Sequence, residues 1–272
     1  VISQIKAQPL AQRLDSLLSN DPMLRTSEVG ITVFDLTTGE SLFQYQDEKL
    51  YRPASTEKVV TSVTALATLG LDYTMDTRLQ YTGKIENDTL KGNLYLVGGF
   101  DPEFMDEDLD SLVDVIAQSG IRYIADTLAA DVSMMDSVYW GNGWSWDDVP
   151  DSFQPYMSPL MLNRGCVDVT VIPAEKDSLP IIECVPASDY YQVDNDGVSN
   201  NPQAGNLRIT RNWLHNGNQI HVTGNVSKKT TRTLSIYTSK DFFFHTFINR
   251  LKEKGIEVNT TAFADCPEND SL

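Results

Sequence analysis

The stretch Tyr51-Arg52-Pro53-Ala54-Ser55-Thr56-Glu57-Lys58-Val59-Val60 decides how the rest of the chain reads. With it goes the apolar run Thr61-Ser62-Val63-Thr64-Ala65-Leu66-Ala67-Thr68-Leu69, which ends at Gly70. A small, apolar segment with no interior glycine or proline predicts a buried helix. Pro53 cannot lie inside that helix and suits the approach to its first turn, while Gly70 suits the exit. Ser55 and Lys58 are three residues apart, so they share a helix face and the hydroxyl can touch the amine.

That geometry suits nucleophilic catalysis without histidine. A serine hydroxyl needs a base beside it to attack a carbonyl. A solvated lysine is protonated at neutral pH, with a reference pKa of roughly 10.4. Burial against Val59, Val63 and Leu66 would disfavour the ammonium and free the amine as a base. The helix N-terminus adds its positive dipole end near a developing oxyanion. A bare Ser-x-x-Lys is a weak motif, and the chain holds a second, Ser3-Gln4-Ile5-Lys6, in a polar segment with no apolar helix behind it. That second match reads as chance. Ser55 is set apart by Pro-Ala before it, the small-residue helix after it and a strand hairpin upstream. The competing reading is a capping serine and a snorkelling lysine on an ordinary helix.

At 272 residues the chain has room for one large or two to three small domains, and 41% hydrophobic residues supply ample core. A net charge of −17 argues against nucleic acid and anionic lipid as partners. No uncharged apolar run is long enough to span a membrane. The N-terminus Val-Ile-Ser-Gln-Ile-Lys lacks a signal-peptide pattern, so either the protein is cytosolic or a leader has been removed. Cys166, Cys184 and Cys266 include no CxxC. Cys166 and Cys184 lie in strand-like stretches and could pair, but buried free thiols are the expected state. His215, His221 and His245 form no HExxH and no cluster with an acidic partner. His215 and His221 flank Asn216-Gly217 and could face each other as surface strand residues. No cofactor and no metal are expected.

Along the chain, Leu10, Leu14, Leu17 and Leu18 predict a first helix, closed by Asp21-Pro22. Residues 29–36 and 41–45 read as a hairpin around Gly39. Near Asp76 the character changes. Residues 77–81 and 93–97 are short strands, and Gly98-Gly99 with Asp101-Pro102 marks a turn and not a phosphate loop. Leu109, Leu112, Val113, Ile116 and Ala117 predict a helix stopped at Gly120, followed by strands at 121–124 and 128–132. Residues 139–163 are loop-rich and aromatic. Tyr139, Trp140, Trp144, Trp146, Phe153 and Tyr156 beside Asp147 and Asp148 could hold a ligand amine, or could form an ordered loop packed by its own tryptophans. Strands follow at 167–172, 181–185, 206–213, 219–226 and 233–238, with a polar loop from Asp194 to Gly205. Phe243, Phe244, Phe247, Ile248 and Leu251 form one helix face, and a last strand begins at Ile256.

Taken together, these segments resemble the low-molecular-mass class C penicillin-binding proteins, which are D-Ala-D-Ala carboxypeptidases and endopeptidases. The resemblance is carried by Val33-Phe-Asp-Leu-Thr-Thr-Gly39, Pro53-Ala-Ser-Thr-Glu-Lys58 and Leu69-Gly-Leu-Asp-Tyr73. It continues through Gly92-Asn-Leu-Tyr-Leu-Val-Gly98 with Asp101-Pro102, Gly120-Ile121, Asp126 to Asp131, Gly143-Trp-Ser-Trp-Asp-Asp148 and Ser158-Pro-Leu-Met-Leu-Asn163. It implies an α/β (α+β) fold in which a split transpeptidase/β-lactamase-like domain carries two inserted domains. Residues 1–75 would be the first part of the transpeptidase-like domain. Residues 76–103 and 172–265 would form a mainly β insertion, 104–171 a small α/β insertion, and 266–272 the return toward the other half.

The resemblance further implies Ser55 as the acylated nucleophile and Lys58 as the proton acceptor, although the identity of the base is disputed across such enzymes. It implies Trp144 and Asp147, with Asp148 as the competing choice, near the amine end of a peptidoglycan stem peptide. It implies β-lactams as inhibitors and an extracytoplasmic or periplasmic location after removal of a leader. The family also needs a Ser-x-Asn element and a Lys-Thr-Gly strand downstream of the nucleophile. Ser199-Asn200-Asn201 and Lys229-Thr230-Thr231 are the only approximations, in the wrong places and read as chance. The sequence is therefore expected to be the N-terminal portion of a longer protein. A non-catalytic cell-wall binding or scaffolding protein is the alternative, though a scaffold needs neither Ser55 nor Lys58. A β-lactamase is disfavoured by the two long insertions.

Overall fold

The computed structural model describes residues 9–267. The chain divides into two units, Val1–Tyr73 and Thr74–Leu272. The expected Ser3-x-x-Lys6 match and residues 268–272 of the expected return segment lie outside the described residues.

In the first unit, helix α1 (Leu10–Asn20) packs on the hairpin β1 (Ile31–Asp35) and β2 (Glu40–Tyr45), and its Leu18 is buried. Asp21 does close α1, but it also opens a second short helix, α2 (Pro22–Thr26). Its carboxylate accepts the N–H groups of Met23 and Leu24, and Pro22 sits where its missing N–H costs nothing. The hairpin pairs Val33 with Phe43 and then bulges. Its turn is held by Asp35, which accepts from Thr37 N (2.8 Å) and Thr38 N (3.3 Å). A loop then leads through a 3-10 turn, Ala54–Thr56, into α3 (Glu57–Leu69), which Gly70 terminates at φ 84°.

The second unit builds three sheets around one continuous apolar core. The first contains β3 (Arg78–Tyr81), β4 (Lys84–Glu86), β5 (Thr89–Lys91), β6 (Leu94–Val97), β7 (Tyr123–Asp131) and β14 (Glu257–Phe263). β7 is its spine and pairs in parallel with β5, β6 and β14. Parallel pairing requires a crossover, which α4 (Asp106–Gln118) supplies between β6 and β7. The second sheet is β13 (Thr230–Ser235), β8 (Cys166–Ile172) and β9 (Ile181–Val185). The third is β10 (Gln192–Ser199), β12 (Gln219–Val226) and β11 (Arg208–Arg211). Helix α5 (Ser239–Glu253) buries Phe242, Phe243, Phe244, Phe247 and Leu251 and is tied to α4 by Arg250–Asp106 (3.1 Å).

This pairing differs from the expected grouping in three ways. Residues 78–97 share a sheet with 123–131, so 76–103 does not segregate with 172–265 from the helix-containing segment. The strands expected at 121–124 and 128–132 are one continuous β7. Much of the expected polar loop from Asp194 to Gly205 is β10. Asp194 and Asp196 occupy its outward face, so alternation, and not polarity, decides its structure. The Gly98-Gly99 pair is used for close approach. A Cβ on Gly99 would lie 2.0 Å from the Asp76 carbonyl oxygen, and one on Gly98 2.7 Å from the Pro159 backbone.

Candidate active site

Ser55 sits in the 3-10 turn and Lys58 in the first turn of α3. Lys58 Nζ donates to Ser55 Oγ at 3.0 Å. The spacing alone called for this contact, and the turn delivers it. Pro53 O accepts from Thr56 N (3.1 Å) and from the Thr56 hydroxyl, which fixes the residues around Ser55. Upstream, the Tyr51 hydroxyl lies 2.9 Å from Val29 O and 3.0 Å from Gln46 O, tying the approach loop to the start of β1. Its ring packs so closely on Gly30 that an added Cβ would come within 2.6 Å. Burial pushes the Tyr51 hydroxyl pKa up, so it stays a donor at neutral pH.

Ala54, immediately before Ser55, has φ 46°. For a residue with a Cβ this left-handed conformation costs about 1–2 kcal/mol. Strain of this kind clusters at functional sites. Sequence reading missed both devices, since neither a tyrosine 22 residues from its acceptor nor an alanine has a local signature.

One expectation is overturned. The helix read as buried is exposed along its whole length, including Lys58. Val59 is 65%, Val63 61% and Leu66 54% exposed. Within the first unit no apolar layer covers the Lys58 amine.

Trp144, Asp147 and Asp148 belong to the second unit. Trp146–Asp148 forms a 3-10 turn. The Trp144 indole lies over Gly141, where a Cβ would meet Nε1 at 2.5 Å. Gln154 donates to Ser145 O (2.8 Å), and Asp151 N to Asp148 O (2.9 Å), fixing the turn. The aromatic segment divides its labour. Tyr156 is buried among Tyr139, Trp140 and Tyr237 at 5.0–5.6 Å, whereas Trp144, Trp146 and Phe153 face solvent.

The two chance matches have structural roles. Ser199 Oγ accepts from Ala174 N, Asn200 donates to Ala174 O, and Asn201 caps a 3-10 turn through Gln203 N. Thr230 begins β13, and the Thr231 hydroxyl pairs with that of Thr170 at 2.7 Å. All three cysteines are free, and burial pushes the Cys166 thiol up to about 12. Two histidines do find acidic partners, from strands and loops distant in sequence: His221 with Asp194 (3.1 Å) and His245 with Asp189. Among the described residues no group of three such side chains could hold a metal ion.

These elements fall in a recognised order. The D-Ala-D-Ala carboxypeptidase 3 (S13) family matches residues 10–270, and the chain belongs to that family. The expected resemblance to low-molecular-mass class C penicillin-binding proteins is borne out, as is the mixed α/β fold. A D-alanyl-D-alanine carboxypeptidase of Actinomadura sp. (strain R39) is 28% identical over 92% of this chain and 48% of its own length. The D-alanyl-D-alanine carboxypeptidase DacB of Haemophilus influenzae is 26% identical over 86% of this chain and 49% of its own. The crystal structure of penicillin binding protein 4 (dacB) from Haemophilus influenzae superposes with a TM-score of 0.74 at 25% identity, covering 92% of this chain and 55% of that one. The same protein has been solved complexed with a novel beta-lactam, and that structure shares the fold. The chain spans about half the length of the curated relatives it matches. No helix among the described residues is long and apolar enough to cross a membrane.

Proposed function

We propose that the protein is a serine-type D-alanyl-D-alanine carboxypeptidase/endopeptidase of peptidoglycan, working outside the cytoplasm through an acyl-enzyme on Ser55. The observation that carries this is the 3.0 Å contact between Lys58 Nζ and Ser55 Oγ, at the start of a helix in a chain of the S13 family. An uncharged Lys58 takes the hydroxyl proton as Oγ attacks the carbonyl carbon of the penultimate D-Ala. The C–N bond breaks, the proton passes to the leaving amine, and D-Ala departs. Water then attacks the ester carbon and restores Ser55. Dipoles at the α3 N-terminus favour the oxyanion.

Catalysis on these terms requires an apolar cover over α3 that keeps water from the amine. The exposed side chains of Val59, Val63 and Leu66 supply the apolar surface that such a cover would bury. Trp144 with Asp147, or Asp148, would receive the amine-bearing end of the stem peptide. A β-lactam presents a strained amide to the same hydroxyl. Fluorescent penicillin should therefore label the full-length protein, and Ser55→Ala should abolish the label. Labelling that persists in Ser55→Ala would remove Ser55 from the role.

A further inference from the structure

The outer face of the third sheet carries a groove that the chemistry at Ser55 does not use. Its floor follows from register. Thr210 stands opposite His221 and Arg208 opposite Thr223. Strand alternation sends these four away from Ile209, Ile220 and Val222, which are buried in the core. Its wall is the 3-10 turn Trp213–His215 that follows β11. Asn216 at φ 54° ends the turn, and Asn216 N and Gly217 N bond back to Trp213 O (3.0 Å) and Asn212 O (2.9 Å). The groove holds about 290 Å³, at the small end of ligand pockets.

The lining combines two chemistries. Trp213 pairs with Trp146, ring centroids 5.4 Å apart and tilted by 33°, and Leu214 beside it is 65% exposed. Against this aromatic wall stand hydrogen-bonding groups. Asp194 Oδ2 lies 3.1 Å from His221 Nδ1, which leaves the far ring nitrogen free for a ligand. Arg208 has no carboxylate partner among the described residues.

A purely apolar ligand would strand Arg208, His221 and Thr210 without partners. A polyanion would meet Asp194 and Asp196 along β10 and a chain of net charge −17. A sugar ring satisfies both chemistries. Its C–H face stacks on an indole, and its hydroxyl and N-acetyl groups take the polar floor.

We propose that this groove is a saccharide subsite that takes N-acetylated hexosamine rings of a glycan strand. That the strand is cell-wall glycan rests on the peptidoglycan reading above; the saccharide chemistry does not. Titration of the protein with the β-1,4-linked tetramer of N-acetylglucosamine, followed by tryptophan fluorescence, should show saturable binding. Trp213→Ala should weaken it at least about tenfold, and Trp213→Phe should hold it within about threefold of the parent. Arg208 is exposed, so Arg208→Ala should fold normally and still lose affinity several-fold. Absence of saturation at millimolar saccharide, or parental affinity in both Trp213→Ala and Arg208→Ala, overturns the proposal. Penicillin labelling measured in parallel should be unchanged in every variant, so loss of the Ser55 chemistry and loss of the groove are read separately.

Discussion

Helices α3 and α5 make the same claim in sequence and meet opposite fates. Both carry apolar residues that ask for burial, and a glycine follows each: Gly70 directly after α3 and Gly255 two residues after α5. α5 buries its phenylalanines in the continuous core of the second unit. α3 buries nothing. The contrast shows that an apolar pattern measures a helix's demand for burial and says nothing about the supply. Supply is set by what the rest of the chain can bring to that face. In the second unit α4, the 3-10 turn Leu162–Gly165 and Phe263 of β14 meet the demand on α5. In the first unit a two-stranded hairpin and two short helices are too small to do so, and the helix left open is the one that presents Ser55 and Lys58.

The sharpest way to break this contrast is a matched pair of truncations in the 272-residue chain. Phe247 is fully buried, and Phe247→Ala should cost about 3–5 kcal/mol. Val63→Ala on α3 should stay within about 0.5 kcal/mol, as for any surface change. Urea unfolding of the two variants decides the matter. Similar losses would mean that α3 is packed in solution and that the two helices do not differ.

A smaller effect separates two carboxylates that look alike in their hydrogen bonding. Asp131, at the end of β7, accepts from Ser133 N (2.8 Å) and Cys266 N (2.7 Å) and clasps the chain after β14. Burial pushes its carboxyl up, but the bonds from Ser133 and Cys266 outweigh burial and hold it below the usual 3.8. A carboxyl whose folded pKa is depressed adds stability above its unfolded value, and that stability is lost as pH falls through the folded value. Asp131→Asn should therefore cost about 1–3 kcal/mol at neutral pH, and the gap to the parent should close below pH 3.8. Asp35 is also held low, first by the Thr37 N–H, but it lies at the hairpin turn and is only partly covered. Asp35→Asn should leave the unfolding midpoint almost unmoved. A pH-independent loss at Asp131 would remove the charge from the explanation.

The same asymmetry explains what the sequence made legible. Ser55 and Lys58 lie one helical turn apart, so local spacing sufficed to join them. The β1–β2 hairpin, α4 and α5 were likewise written in short periodic patterns. Features that depend on distant partners were not. β10 carries Asp194, Asn195 and Asp196 and reads as a loop until β12 pairs with it. β4 and β5 are three residues each, too short for a pattern to register. The membership of residues 78–97 in the β7 sheet rests on parallel pairing across a helix, which no local window contains. The exposure of α3 is of the same kind, because nothing in a helix's own sequence tells whether its cover is present.

The strain held beside Ser55 yields the smallest test. Ala54 precedes Ser55 at φ 46°, held by Pro53 before it and by the Thr56 bonds to Pro53 O after it. Glycine adopts this conformation freely, so Ala54→Gly should relieve roughly 1–2 kcal/mol of native strain. It should return about 0.4–1 kcal/mol of that through greater unfolded-state freedom, for a net gain between zero and about 1.6 kcal/mol. If the strain serves to aim Ser55 at Lys58, the same change should slow penicillin labelling several-fold in the full-length protein, because the turn then samples other directions for the hydroxyl. Stability that rises while labelling slows would locate the cost of the turn in function. A loss of stability in Ala54→Gly would mean that the alanine is not held in the left-handed region, and the proposed aiming of Ser55 would go with it.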